Sequence, residues 1–340
     1  MIIGSLTLAF ALSGAASLLA TALVLRWAQR AGWLEPPSSR GLHLEPTLSR
    51  GGVGFVLVSA CALVFVLPMS GFAYWQSALL LGGGISVALM GFIDDAHPLP
   101  VLPRLGVHFS MAAMALWILD PVGDLSRFLL PVPLTLPVLL IAWVWMINLF
   151  NFMDGIDGLV ATGVTTISLA AAALSASNDN LDLALAWSAL AGTTGAFLRW
   201  NWPPARIFMG DVGSGYLGYV VALLTLMSVQ QSAVSLWAML ILLAPFLVDT
   251  SFTLLRRIGR GDRWYQAHRQ HAYQKLALRW ASHLPITRGL LALQVLAMTP
   301  LAAAAEWQPQ YGPPLALVVC LTLGWIAWRL GAGTPEPSAD

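Results

Sequence analysis

The chain has 340 residues, of which 58% are hydrophobic and 10% charged, with 17 Lys+Arg against 16 Asp+Glu and a mean hydropathy of +0.74. A soluble domain carries about 25% charged residues, so the shortfall points to a protein whose solvent is the lipid bilayer, and the near-neutral balance excludes a nucleic-acid binder. Cys61 and Cys320 both fall inside apolar runs, which argues against a disulfide framework or a zinc site and for packing residues.

A membrane helix needs roughly 20 mostly apolar residues. About eleven such windows follow one another, over 4–25, 53–69, 77–93, 105–119, 131–150, 158–176, 183–199, 212–229, 233–254, 288–304 and 313–330. They predict an all-α polytopic membrane protein, one integral membrane domain over 1–330 with a short tail over 331–340. No Lys or Arg precedes the first window, whereas Arg26 and Arg30 follow it, so it reads as an anchor with its N-terminus outside and not as a cleaved leader. Threading eleven spans from that start brings 16 of the 17 basic residues to the cytoplasmic side, Arg127 excepted, and leaves the C-terminus cytoplasmic.

Asp120, Asp124, Asp179, Asp182 and Glu306 then fall in short outer loops, as solvated turn residues. Asp94, Asp95, Asp154, Asp157 and Asp211 instead sit at the inner ends of separate spans, in apolar and Gly-rich context. A carboxylate so near hydrocarbon costs up to ~3 kcal/mol on insertion scales, and five of them need compensation. Asp94-Asp95 is a carboxylate pair ending an apolar helix, where negative neighbours repel unless a cation or a shared proton holds them. In Asn148-Leu-Phe-Asn151-Phe-Met-Asp154-Gly155-Ile-Asp157-Gly158 the two asparagines share a helical face and the Asp-Gly pairs mark a tight break; oxygen donors at this spacing suit a hard cation such as Mg²⁺. Phe208-Met-Gly-Asp211-Val-Gly-Ser214-Gly opens an apolar helix, and glycines at a helix N-terminus form an anion site.

The inner loop over 255–287 supplies the opposite charge, its cations accompanied by the single acid Asp262, with His268-Arg269-Gln270-His271 at its centre. Attraction to anionic lipid accounts for the peripheral arginines, whereas His268, Arg269 and His271 can donate several hydrogen bonds to phosphate oxygens. His97 and His283 read as ordinary loop residues and His108 as a satisfied core side chain. Carboxylates repel an anionic substrate while a basic loop attracts one; a divalent metal reconciles the two by binding the acids and leaving positions for phosphate. Diphosphate chemistry at the membrane surface is the reading that follows.

At this point the motifs resemble, in order, those of the polyprenyl-phosphate N-acetylhexosamine-1-phosphate transferases: Asp94-Asp95, the Asn151-to-Gly158 segment, Phe208-Met-Gly-Asp211-Val-Gly-Ser214, and Ala267-His268-Arg269-Gln-His271. The segment from Ser39-Arg40 through His43 and Pro46 to Arg50-Gly51-Gly52 is similar to that family's first inner loop, with Leu48-Ser49 in place of the commoner single proline before the arginine. The resemblance spans about residues 26 to 290. Trp264-Tyr265-Gln266-Ala267-His268-Arg269 looks like the O-antigen-initiating subgroup that handles UDP-GlcNAc or UDP-FucNAc. The resemblance implies transfer of a sugar-1-phosphate from a UDP-N-acetylhexosamine to undecaprenyl phosphate in a bacterial inner membrane, with the site facing the cytoplasm and UMP released. It further implies Asp211 and Asn151 as Mg²⁺ ligands, Asp154 as their support, and Asp94 or Asp95 orienting or deprotonating the lipid phosphate. Asp157 and Phe208 would hold the uracil, Asn148 would join the substrate-binding residues, and His268, Arg269 and His271 would contact the diphosphate or sugar. Asp249 would order the site or pair with Arg256. The sequence leaves a monomer and a homodimer both open. A transporter of an anionic solute is the alternative from another class, and it would call for ionisable groups near mid-bilayer and two related halves.

Overall fold

A computed structural model describes residues 2–35, 46–121, 131–263, 266 and 268–335. Ser39, Arg40, His43, Asp124, Arg127, Trp264, Tyr265, Ala267 and the last five residues of the tail lie outside the described residues. The helices are α1 (Ile2–Ala31), α2 (Gly52–Val66), α3 (Tyr74–Ala96), α4 (Val101–Leu119), α5 (Val132–Met153), α6 (Leu159–Ser177), α7 (Leu181–Asn201), α8 (Gly210–Gln230) and α9 (Leu236–Gly259). They continue with α10 (Ala272–Trp280), α11 (Leu284–Trp307) and α12 (Gly312–Leu330). A two-residue antiparallel pair, β1 (Leu34–Glu35) with β2 (Thr47–Leu48), is the one sheet among the described residues.

All eleven apolar windows are helical, and among the described residues ten helices are long and apolar enough to cross a membrane. The protein is thus an all-α polytopic membrane protein. The exception is α2, whose 15 residues rise only about 22 Å at 1.5 Å per residue, short of a hydrocarbon core of ~30 Å. The window over 53–69 stops early because Pro68 cannot continue the helix and the chain turns through Met69, Ser70 and Gly71.

The bundle is built around α8, 89% of whose apolar window is buried, against 17% for α12 at the periphery. Helices α3 and α5 pack along α8, α1 and α6 flank α7, and α12 lies on α9. Where α2 and α3 meet the start of α8 the backbones almost touch: a Cβ on Gly52 would stand 2.5 Å from the Met209 carbonyl oxygen and 2.6 Å from Gly213 Cα. Glycine is required there because any side chain would hold the helices apart.

Three expectations about single residues change. Cys61 and Cys320 are exposed on the outside of the bundle, since an apolar run faces lipid as well as core. Glu306 is no solvated turn residue: its carboxylate accepts the Ser235 N–H at the start of α9 (2.7 Å) and Asn178 Nδ2–H (2.7 Å). The basic loop is also not a continuous loop, because α9 runs on to Gly259 and α10 folds within it. A nine-residue helix is marginal alone; this one is held by buried Tyr273, Gln274 and Ala277.

Candidate active site

At the end of the bundle that carries most of the basic residues, α3, the α5–α6 break and the start of α8 enclose a cavity of about 500 Å³. Asp94, Asp95, Asn151, Asp154, Asp157, Phe208 and Asp211 all line it, so six of the predicted polar residues and the aromatic converge from three separate stretches of chain. The Asp94 and Asp211 carboxylates interact side chain to side chain. Arg104, in the first turn of α4, lies between them, 2.6 Å from Asp94 Oδ2 and 3.5 Å from Asp211 Oδ2. Asn151 Nδ2–H donates to Asp211 Oδ1 (2.6 Å) and to Ser214 Oγ (3.3 Å), which fixes Asp211 from the α5 side.

The two carboxylates of the pair differ. Asp94 Oδ1 accepts the Leu99 N–H (2.6 Å), closing the turn into α4. Asp95 accepts the Asp211 N–H on Oδ1 (2.9 Å) and the Val212 N–H on Oδ2 (3.3 Å). The helix start at Gly210, expected to cradle a ligand anion, is therefore filled by the protein's own carboxylate. A sequence pattern shows free N–H groups at a helix end but not what the tertiary fold brings to them.

The segment before α2 is knitted onto the segment before α8. Phe208 N–H donates to the Leu48 carbonyl (2.8 Å), and Gly51 and Gly52 N–H donate to the carbonyls of Phe208 (2.8 Å) and Met209 (3.0 Å). Arg50 Nη2–H donates to the Asp95 carbonyl (2.7 Å), and its guanidinium lies over Trp33 (4.9 Å) and Phe92 (5.3 Å), within cation–π range. Asp157 is buried; its Oδ2 accepts the Ala205 N–H (3.0 Å) and faces His283 Nδ1 at 3.3 Å, and its carbonyl accepts Thr287 Oγ1–H (2.7 Å). His283 is thus part of the site's frame and not an ordinary loop residue.

A second space of about 510 Å³ opens between α4, α5 and α9 and is mainly apolar, with Leu105, Phe109, Ile141, Val144, Trp145 and Leu254 in its walls. Arg104, Phe152 and Gln274 line both this groove and the acidic cavity. Asn148, His268 and His271 line the groove and not the acidic cavity. Asn148 Nδ2–H donates to the Val144 carbonyl (2.7 Å) and meets His108 Nδ1 at 3.4 Å, so one helical turn separates its surroundings from those of Asn151.

Arg269 borders neither space. It lines a third pocket of about 410 Å³ with Arg257, Asp262, Arg263 and His268, separate from the acids with which the sequence groups it. The His271 ring stacks on Tyr273 (5.8 Å) and Phe152 (6.4 Å) and lies 4.9 Å from His268. Tyr273 Oη–H donates to the Phe152 carbonyl (2.8 Å), tying the histidine motif to the end of α5. Asp249 is 8% exposed and accepts the Ala272 N–H on Oδ1 (2.8 Å) and the Tyr273 N–H on Oδ2 (3.2 Å). It orders the loop, and Arg256 donates elsewhere, to the Ala332 carbonyl (2.8 Å).

Sequence reading singled out neither Arg104 nor Arg50 for the site. The available signal was that each is a cation at the start of an apolar helix.

Among the described residues no group of three or more His, Cys, Asp or Glu could hold a metal by itself. A Mg²⁺ ion needs no such cluster, since it characteristically takes one or two carboxylates and completes its shell with water and substrate phosphate. Asp211 with Asn151 beside it offers such a partial oxygen set.

Residues 77–229 match the family model described as glycosyl transferase family 4. The chain is 27% identical over 292 residues to a probable undecaprenyl-phosphate N-acetylglucosaminyl 1-phosphate transferase of Bacillus subtilis, covering 82% of this chain and 79% of that protein. It is 28% identical over 298 residues to a decaprenyl-phosphate N-acetylglucosaminephosphotransferase of Mycobacterium tuberculosis (78% and 74% covered). It is also 31% identical over 272 residues to a phospho-N-acetylmuramoyl-pentapeptide-transferase of Streptomyces avermitilis (66% and 74% covered). With the likeness running through all the motifs that meet in the acidic cavity, the chain belongs to the polyprenyl-phosphate hexosamine-1-phosphate transferases of glycosyl transferase family 4.

Proposed function

We propose that the protein transfers N-acetylhexosamine-1-phosphate from a UDP-sugar to undecaprenyl phosphate, releasing UMP and starting an O-antigen-like lipid-linked glycan at the cytoplasmic face of a bacterial inner membrane. The observation that carries this reading is the junction of two unlike spaces: an acidic cavity and an apolar groove that share Arg104, Phe152 and Gln274. An isoprenoid chain suits the groove and a nucleotide diphosphate suits the polar cavity, so the lipid's phosphate would meet the donor at Arg104. The relatives named for GlcNAc-1-phosphate transfer to a polyprenyl phosphate support the same reaction class.

In this reading a lipid phosphate oxygen bonds to the β-phosphorus of the donor as the bond to the α-phosphate oxygen breaks and UMP leaves. One diphosphate linkage replaces another, and no ATP is consumed. The protein's task in phosphoryl transfer is to position reactants and neutralise charge. Asp211 and Asn151 would hold Mg²⁺, with Asp154 in support; the ion would supply positive charge for the two substrates. Asp94, facing Arg104, would orient the lipid phosphate or take its remaining proton, and Asn148 would lie beside the lipid in the groove. Asp157 and Phe208 would hold the uracil. His268 and His271 would contact the diphosphate or sugar from the groove side of the junction, whereas Arg269, expected beside them, borders neither space and would act only as a nearby cation. The N-terminus would lie outside, and a homodimer would leave each chain's site complete.

The test is UMP release by the purified protein with undecaprenyl phosphate and Mg²⁺, offered UDP-GlcNAc, UDP-FucNAc or UDP-N-acetylmuramoyl-pentapeptide in turn. UMP is expected from an N-acetylhexosamine without a peptide. Turnover of the pentapeptide donor alone would move the protein to peptidoglycan synthesis, and no UMP from any donor would overturn the reading.

A further inference from the structure

Two aspartates at this end of the bundle direct both carboxylate oxygens at the first N–H groups of another helix. Asp95 of α3 accepts from Asp211 and Val212 at the start of α8, and Asp249 of α9 accepts from Ala272 and Tyr273 at the start of α10. A helix is normally capped by the oxygen-bearing side chain of the residue just before it. Here Met209 precedes α8 and His271 precedes α10, and neither side chain carries an oxygen. The caps come instead from positions 116 and 23 residues away.

The backbone is shaped to receive them. Gly210 has φ +72, and a Cβ there would stand 2.5 Å from Asp95 Oδ2. His271 N–H is held by Gln274 Oε1 (3.2 Å), and Asp249 Oδ1 also receives Thr253 Oγ1–H (3.3 Å) and lies 3.7 Å from His271 Nδ1. Each capped helix begins beside a residue of the proposed chemistry, Asp211 for α8 and His271 for α10.

Resting on the function proposed above, we infer that Asp95 and Asp249 are positioning residues, a matched pair of cross-helix caps. Asp95 sets the place of Asp211 and Asp249 that of His271, and neither exchanges a proton with substrate. A general base has to turn an oxygen toward the group it deprotonates; the oxygens of Asp95 accept from backbone donors, and the member of the pair that faces Arg104 is Asp94. The adjacent carboxylates of Asp94-Asp95 therefore divide their work, one toward substrate and one toward structure.

Amide substitution separates the two roles, because the one carbonyl oxygen of asparagine keeps one of the two N–H bonds of each cap while the side chain cannot act as a base. In the full-length protein, Asp95→Asn is expected to keep kcat for UMP release within about threefold of wild type, whereas Asp94→Asn loses about 100-fold or more. Asp95→Ala is expected to lower kcat about tenfold or more and to raise the Mg²⁺ needed for half-maximal rate. Asp249→Ala is expected to raise KM for the UDP-sugar about tenfold with a smaller change in kcat, and Asp249→Asn to restore it. An Asp95→Asn protein as inactive as Asp94→Asn would overturn the assignment of Asp95, and an Asp249→Ala change confined to kcat would overturn that of Asp249.

Hydrogen exchange tests the caps without substrate. Amides at 211–212 and 272–273 should exchange about tenfold faster in the respective alanine variants, while in the asparagine variants one amide of each pair, the one that keeps the side-chain carbonyl oxygen, should stay close to the wild-type rate. Unchanged exchange in the alanine variants would refute the caps even if the wild type turned over no UDP-sugar; normal exchange changes with no UMP release would refute only the functional reading.

Discussion

Replacing Arg104 by alanine probes the junction between the acidic cavity and the apolar groove. The guanidinium is 23% exposed and sits 2.6 Å from Asp94 Oδ2, whose side chain is 9% exposed; a charge-assisted bond in such a place is worth about 1.5–3 kcal/mol. The second contact, 3.5 Å to a 26% exposed Asp211 side chain, adds at most ~1 kcal/mol after solvent screening. Those pairs exist in the free protein and hold the cation in place; a charge-assisted bond of the same kind from Arg104 to the lipid phosphate, about 1.5–3 kcal/mol, is what Arg104→Ala should remove from the transition state, lowering kcat/KM roughly 10- to 200-fold. Arg104→Lys keeps the charge but loses the fork that spans both carboxylates, and should fall about tenfold. Initial rates of UMP release against undecaprenyl phosphate concentration give these values, with thermal unfolding of the same samples as the check on folding. A folded Arg104→Ala protein within threefold of wild type would refute the reasoning, since no phosphate could then depend on that cation.

Packing and the groove give two further expectations. Gly52→Ala should destabilise the protein by about 1–3 kcal/mol, because the new Cβ would press on the Met209 carbonyl and Gly213 Cα. Gly82→Ala, in the interior of α3 with nothing within 4 Å of its Cβ, should leave the unfolding midpoint unchanged or raise it slightly; equal midpoints for the two variants would refute the close approach. Val144→Trp narrows the groove wall and should raise KM for undecaprenyl phosphate about tenfold while leaving KM for the UDP-sugar unaltered; a shift in the donor KM alone would place the lipid elsewhere.

Much of this architecture can be read from the residues, for identifiable physical reasons. Apolar runs of spanning length leave the bilayer as the one solvent that fits them, so the helices from α3 to α9 follow directly, and Pro68 explains why α2 falls short. Asp94, Asp154, Asp157 and Asp211 are conspicuous because a carboxylate at the end of an apolar helix is costly without a partner, and the cavity gathers all four. What stays hidden depends on contacts between distant residues. The Asp95 carboxylate fills the helix start expected to hold a ligand anion, and nothing local to residues 208–215 announces it. The short helix α10 is masked by the cations around it and exists through burial and the Asp249 cap. Arg269 sits two residues from His271 in sequence yet lines a different pocket, a separation that depends on the packing of the loop and not on its local pattern.

The central claim is that Asp211 and Asn151 hold a divalent ion where the two phosphates meet. Mn²⁺ in place of Mg²⁺, titrated into the purified full-length protein and followed by electron paramagnetic resonance, reads that ion directly. One bound Mn²⁺ per chain is expected in wild type, tightened by UDP-GlcNAc, with binding weakened about tenfold or more by Asp211→Ala. Equal Mn²⁺ affinity in wild type and Asp211→Ala, with or without the nucleotide sugar, would contradict it.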